Sequence, residues 1–481
     1  MKNIFLRVIG LCFITHFVTS SEVTWTGLGG ENSMTGQSAD DLVGWSLAMD
    51  SSGTIIVVSE LGWSNGAGDG RVRTYRLENG IWTEFGGATS MTGENSGDSV
   101  GYSVDTNSDG SIVVVGEPGW NGVGNNSGRV RTYSLQGGVW TEFGGATSIT
   151  GQVTNDQAGY SVAISSDGSL IAVGEPDWDG VGGSLSTSGR VRTYILQGGV
   201  WTQTGGATSM TGETNGSRAG YSVAMNSEGT IVAVGEFGWS GSRGRVRTYS
   251  LQGGVWTEFG GATSMTGQAG DNAGHSVAMN SDGTIVAVGE PGWDGVGGSL
   301  NGSGRVRTYS LQGGVWTQTG GATSMTGQNS GDNAGWSVAM SSDGTTIAVG
   351  EYNWSGTRGR VRTYSLQDGV WTELGGSTSM AGQSTDDEAG YSVAINSDGT
   401  IVAVGEDGWN NGSYNGRVRV YQYSSSSESS FENEDRIRNS DLAHVCYSDI
   451  SQGTYTDHQT TPGGVGQGAW FTPYRITVQG R

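Results

Sequence analysis

The chain is poor in cysteine: Cys12 and Cys446 are its only two in 481 residues. Cys12 lies in a segment that reads as a cleaved leader, so one thiol would remain and an internal disulfide framework is excluded. Positive charge is also scarce. Acids outnumber bases 46 to 24, for a formal net charge of −22, and Lys2 is the only lysine. Neutralising phosphates needs a basic face, so nucleic acid is not expected as a partner. There are four histidines, His16, His275, His444 and His458. No Ser–His–Asp order, no metal-spaced His or Cys cluster and no phosphate loop stands out, so no catalytic constellation is expected. Long apolar runs are missing as well. The longest, residues 8–18, falls short of the ~20 residues a spanning helix needs. It follows Lys2 and Arg7 and ends at Val18-Thr19-Ser20, the layout of a secretory signal peptide. The reading is therefore a leader at 1–21 and a secreted, extracellular protein that is not integral to a membrane.

What is abundant is glycine, 89 residues against 5 prolines. Placed between β-branched and aromatic residues, it signals many short strands joined by tight turns. The spacing is regular. A VWT-like segment recurs at Trp25, Trp82, Trp140, Trp201, Trp256, Trp316 and Trp371, 55 to 61 residues apart. That period fits a propeller blade with a variable loop. Each copy holds four strand signals: GYSVAM-like (A), IVAVGE-like (B), RVRTYSL-like (C) and VWTEF-like (D). Asp-Gly between A and B and Gly-Gly between C and D are hairpin chemistry. The chain opens the array with a lone strand D at 23–30 and ends it on a strand C at 417–423. An unpaired edge is a liability. The sequence therefore predicts an all-β fold: a seven-bladed β-propeller of four-stranded antiparallel blades at 22–423, closed by the N-terminal strand completing the last blade. A Ser-rich linker follows at 424–430, and 431–481 is a tail without the repeat.

The segment AGYSVAISSDGSLIAVGEPDW, followed by GRVRTY, resembles the FG-GAP repeat of integrin α-subunit propellers. Ala158-Gly159, Ala219-Gly220 and Ala389-Gly390 stand at its Phe-Gly. Gly116-Glu117-Pro118, Gly174-Glu175-Pro176 and Gly289-Glu290-Pro291 stand at its Gly-Ala-Pro. The resemblance spans residues 23–423 and implies the seven-bladed fold. It also implies extracellular binding of proteins or glycans through the face carrying the B–C and D–A loops. Many members of that family hold calcium in the A–B turn. Here Asn226, Glu228 and Gly229 match the middle of that motif, while Ala224 and Val232 stand where acids belong. Calcium takes six to eight oxygens, so these turns read as structural hairpins, and no cofactor is expected.

Two tryptophan sets recur. The strand D set should pack between blades. The B–C loop set, Trp63, Trp120, Trp178, Trp239, Trp293, Trp354 and Trp409, sits beside acids such as Asp177, Asp179 and Asp294. Flat aromatic faces beside acids suit sugars or protein partners, so these ten residues are the candidate ligand-binding set; capping of each blade by its own tryptophan is the structural alternative. Acids also gather in the D–A loops, at Asp40, Asp41, Asp98, Asp156, Asp271, Asp332 and Asp386-Asp387-Glu388, and read as a solvated rim. The strand C arginines and the Glu of each GE pair should form charge ladders. Sequons at Asn125, Asn215, Asn301, Asn353 and Asn411 are candidate glycosylation sites. The expected function is a monomeric extracellular binding or adhesion propeller for a protein or glycan. The alternatives are a propeller lectin using the loop tryptophans, and a secreted hydrolase or lyase using carboxylates near the axis.

Overall fold

A computed structural model describes residues 24–424, apart from 31–32, 64–68, 88, 146, 207, 262, 322, 377 and 411–412. The leader, the linker beyond Ser424, the tail and the sequon Asn411 lie outside the described residues.

Each blade starts from its A–B turn. In blade 4, Asn226 Oδ1 accepts the N–H groups of Thr230 and Ile231, both at 2.8 Å. This side-chain bond fixes the hairpin and sets the register of strand A, Ser222–Met225, on strand B, Ile231–Glu236. Strand C, Arg245–Gln252, pairs with B in turn, and Val255–Phe259 adds as strand D. A two-residue strand, Met265–Thr266, then folds back onto the start of strand C. This short fifth strand was not legible as a separate element, because two residues carry no period.

The pattern repeats as seven antiparallel sheets. The seventh takes Val393–Ile395, Ile401–Glu406 and Arg417–Ser424 from the end of the array and Thr24–Gly27 from its start. Trp25 pairs with Tyr423 in the same register that Trp256 keeps with Leu251 in blade 4. The N-terminal strand therefore supplies the missing strand D and leaves no three-stranded blade.

Strands A of successive blades touch one another around the ring, including the first and last, so they line the axis. A cycle of backbone bonds joins their A–B turns. Ser51 N donates to Ser108 O at 2.9 Å, and the chain continues through Ser166, Ser227, Ser281, Ser342 and Ser397 back to Ser51. The apolar core is divided into seven inter-blade clusters. One joins Ala172, Val191 and Met210 of blade 3 to Val232, Val234, Tyr249 and Trp256 of blade 4. The strand D tryptophans are the mortar. Trp256 Nε1 donates to Thr193 Oγ1 of the preceding blade at 2.7 Å, and Trp25 does the same to Thr363. Gly205 admits that indole: a Cβ there would lie 2.1 Å from Trp256 Cδ1. Blade 7 has Val420 at the threonine position, and Trp82 turns instead to the Leu28 carbonyl, at 3.0 Å.

Candidate functional site

The B–C and D–A loops share one face. Asn155 N donates to Asn125 O, and Gln157 N to Asn126 O, tying the two loop sets together. Beneath each B–C loop lies an Arg–Glu–Arg triad. In blade 6, Glu351 is fully buried and accepts from Arg360 Nε at 2.7 Å and Arg362 Nε at 2.6 Å. Burial pushes the Glu351 carboxyl up against the pull of the two guanidinium groups, whereas Glu351 raises Arg362 and holds it charged. The same pairing recurs in all seven blades, so the expected charge ladders are present.

The loop tryptophans close these triads. Arg360 lies 4.7 Å from the ring centroid of Trp354, and Arg71, Arg129, Arg190, Arg245, Arg305 and Arg417 lie 4.7 to 5.0 Å from Trp63, Trp120, Trp178, Trp239, Trp293 and Trp409. Each indole commits one face to a cation. The acids expected beside them are placed individually. Asp177 pairs with Arg218 at 3.3 Å. Asp179 and Asp294 are exposed, and each accepts a backbone N–H of its own long loop, from Thr187 at 2.8 Å and Gly302 at 2.9 Å. Asn125, Asn215 and Asn301 are exposed, while Asn353 is half-buried and donates to Asn333 Oδ1 at 2.9 Å.

Most D–A loop acids do not form a solvated rim. Asp41, Asp98, Asp156, Asp271, Asp332 and Asp387 are buried. They accept backbone N–H groups three or four residues upstream, as Asp156 does from Gln152 and Val153 at 2.7 and 2.9 Å. They shape the loop. The spacing Gln-x-x-x-Asp at Asp41, Asp156, Asp332 and Asp387 carried that signal, but acidity alone reads as exposure.

The D–A and B–C loops converge on the axis. There the residue opening strand A of each blade is aromatic: Trp45, Tyr102, Tyr160, Tyr221, His275, Trp336 and Tyr391. Their ring centroids form a closed circuit at 4.3 to 5.8 Å spacing. Successive planes are tilted by 41 to 55°, close to the ~51° that separates neighbouring blades of a seven-bladed ring. All seven are half-buried. The sequence signal was the aromatic after each Val-Gly or Ala-Gly, but their meeting needs the ring to close. His275 Nδ1 donates to Trp336 O at 3.2 Å, leaving Nε2 to accept from Tyr221 OH at 3.4 Å. Burial holds His275 down at about 4, so it is neutral.

Around this circuit the repeats differ. The residue after each strand B glutamate is Leu61, Pro118, Pro176, Phe237, Pro291, Tyr352 or Asp407, and the second residue before each strand A glycine is Leu42, Ser99, Gln157, Arg218, Asn272, Asn333 or Glu388. Phe237 stacks on Tyr221 at 4.1 Å and Tyr352 on Trp336 at 4.4 Å. Asp407 is buried beside Glu388. Burial pushes Asp407 far up, and the Glu388 charge adds to it. At this mouth Arg218 and Asp177 form an ion pair, whereas Asp407 and Glu388 set two acids side by side. Among the described residues no three His, Cys, Asp or Glu gather for a metal ion. The A–B turn oxygens also accept from their own turn's amides, as Asp282 Oδ1 does from Thr284 N at 3.0 Å. The arrangement offers aromatic faces, amides and paired charge, which is chemistry for binding. No helix among the described residues is long and apolar enough to cross a membrane. No protein-family model matches the chain, and no curated protein matches it either.

Proposed function

We propose that the protein is an extracellular binding or adhesion module that takes a protein or glycan ligand on the axial mouth of its B–C and D–A face. A propeller fits a binding role in general. The observation that carries the assignment is where the repeats diverge. Strands B, C and D are near copies from blade to blade, and their side chains form triads and inter-blade cores. The two variable positions flanking the aromatic circuit hold apolar, amide, acidic and basic residues in turn. A uniform ring cannot discriminate a partner, whereas an uneven one can. The FG-GAP-like motifs agree with this reading. The long-loop acids Asp179 and Asp294 extend the same face outward. Trp178 and Trp293 are buried, so only the half-buried Trp63, Trp120, Trp239, Trp354 and Trp409 contribute, through their uncommitted faces.

The test is mapping by substitution in the full chain, probed against glycan arrays and extracellular proteins. Binding should fall with Arg218→Ala, Asp177→Ala or Asp294→Ala, and persist with Asp282→Ala and Asp398→Ala on the A–B face. It should also persist in chelator. Loss on the A–B face with an intact mouth response would reject this assignment.

A further inference from the structure

Between blades 2 and 3 lies a pocket of about 230 Å³, whose walls include Tyr102, Tyr160, Ser99, Pro118, Asn126 and Gln157. It exists because of what the repeat places there. In blade 4 Phe237 covers the Tyr221 ring, and in blade 6 Tyr352 covers Trp336. In blade 5 the proline carbonyl is engaged by Asn333 Nδ2 at 3.1 Å. Blade 2 has the smaller Pro118 at the covering position and Gln157 at the position of Asn333, so Tyr102 and Tyr160 lack such a cover.

Its chemistry narrows the ligand. The two tyrosine rings lie 4.6 Å apart at 47°. Burial pushes the Tyr102 hydroxyl up to about 12, so it stays protonated. The side-chain amides of Asn126 and Gln157 have no hydrogen-bond partner among the described residues. No charged side chain lines the pocket, so neither an anion nor a cation would find a counter-charge there. Drug-sized ligands occupy ~300–1,000 Å³, so the space suits a single small ring. A neutral compound with a C–H face for the tyrosines and hydroxyls for two amides is a pyranose. We propose that this pocket is a subsite for one neutral sugar residue, stacked on Tyr102 and Tyr160 and held by Gln157 and Asn126. The proposal rests on the binding reading above and specifies its ligand at one junction.

Saturation-transfer NMR on the full chain tests it. The probes are methyl glycosides of glucose, galactose, mannose, N-acetylglucosamine, fucose and xylose, with choline and glucuronate as charged controls. At least one neutral glycoside should respond, and the charged probes should not. Pro118→Phe copies the cover that Phe237 provides in blade 4 and should reduce the response at least tenfold. Gln157→Ala should weaken it several-fold without filling the pocket, and serves where Pro118→Phe fails to fold. Asn272→Ala, at the equivalent position before blade 5, should leave it unchanged. No neutral response at tens of millimolar, preference for a charged probe, or a response indifferent to both pocket variants would each overturn the subsite. A chain that lacks the glycoside response yet takes an extracellular protein on the mouth would overturn the subsite alone. A glycoside response lost with Asp282→Ala but kept with Pro118→Phe would overturn the mouth as well.

Discussion

Glu236 is fully buried, and Arg245 and Arg247 both reach it. Removing one partner of such a group strands the others, at a cost of ~3–5 kcal/mol. Glu236→Ala should therefore lower the unfolding free energy from denaturant titration by about that amount, and the equivalent change in any other blade should match it. Two single-residue departures from the repeat carry pH signatures. His275 takes a position that is tyrosine in four repeats. Its folded value, about 4, lies below the ordinary 6.5, so its contribution is complete above pH 6.5 and is lost as pH falls toward 4. His275→Tyr should flatten that acid limb, measured as melting temperature from pH 7 to 4, by about 1–3 kcal/mol at its end. Asp105 stands where the other repeats have alanine, and burial lifts it from 3.8 to about 6. The sign is opposite: folding favours its protonated form, so stability is present below pH 3.8 and lost as pH rises through 6. Asp105→Ala should raise stability at pH 7 by about 1–2 kcal/mol, the lost bond from Ile164 N at 2.9 Å limiting the gain. The advantage should shrink toward pH 4. Both outliers are legible in the sequence as mismatches; their burial is not, because it comes from the neighbouring blade.

Among elements, strand A of blade 1 is the exception that explains the rule. Elsewhere strand B ends in Gly-Glu, and at Gly235 a Cβ would lie 2.2 Å from the Gly274 carbonyl of the next blade. Ser222 Oγ instead donates to that carbonyl at 2.8 Å. Blade 1 has Ser59 at the glycine position, and there the register slips between Val43 and Leu47. Ser46 N donates to Ser59 Oγ at 2.9 Å, and Ser46 Oγ accepts from Val104 N at 3.1 Å. A bulge is how a strand absorbs such a misfit. Gly235→Ser should therefore cost ~1–3 kcal/mol by denaturant titration and loosen amide protection along 222–225 in hydrogen exchange. Strand types, order and hairpins could be read from alternation and turn residues. The axial circuit could not, since Trp45 and Tyr391 are distant in sequence and meet at 4.7 Å only across the closed ring. For the loop tryptophans, capping of each blade by its own indole was legible as one of two readings, but the arginine it covers was not. Arg360 and Trp354 are six residues apart, and sequence does not say that the loop folds the indole back over its own strand.

At the level of the whole molecule, closure rests on several contacts at one seam. Thr24–Gly27 pairs with Arg417–Ser424, Ser397 and Ser51 complete the turn cycle, and one apolar cluster joins Val418 and Ala403 to Ile56 and Val58. Deleting residues 22–30 should lower the melting temperature sharply and promote self-association, because it bares strand C of blade 7. Chelator should leave the melting temperature nearly unchanged, since a metal bound only by the native state would add stability by mass action; a drop of several degrees restored by calcium would count against this. The seam also sets an order in time. Thr26 Oγ1 meets Gln422 O across 396 residues of chain. Synthesis at ~5–20 residues per second separates the emergence of the two partners by about 20–80 s. Throughout that interval the first strand has no mate and blade 1 has no left-hand neighbour. Adjacent blades can assemble as they appear, but the final fold becomes available only when the last strand does, so a ribosome stalled before residue 417 would hold an open crescent.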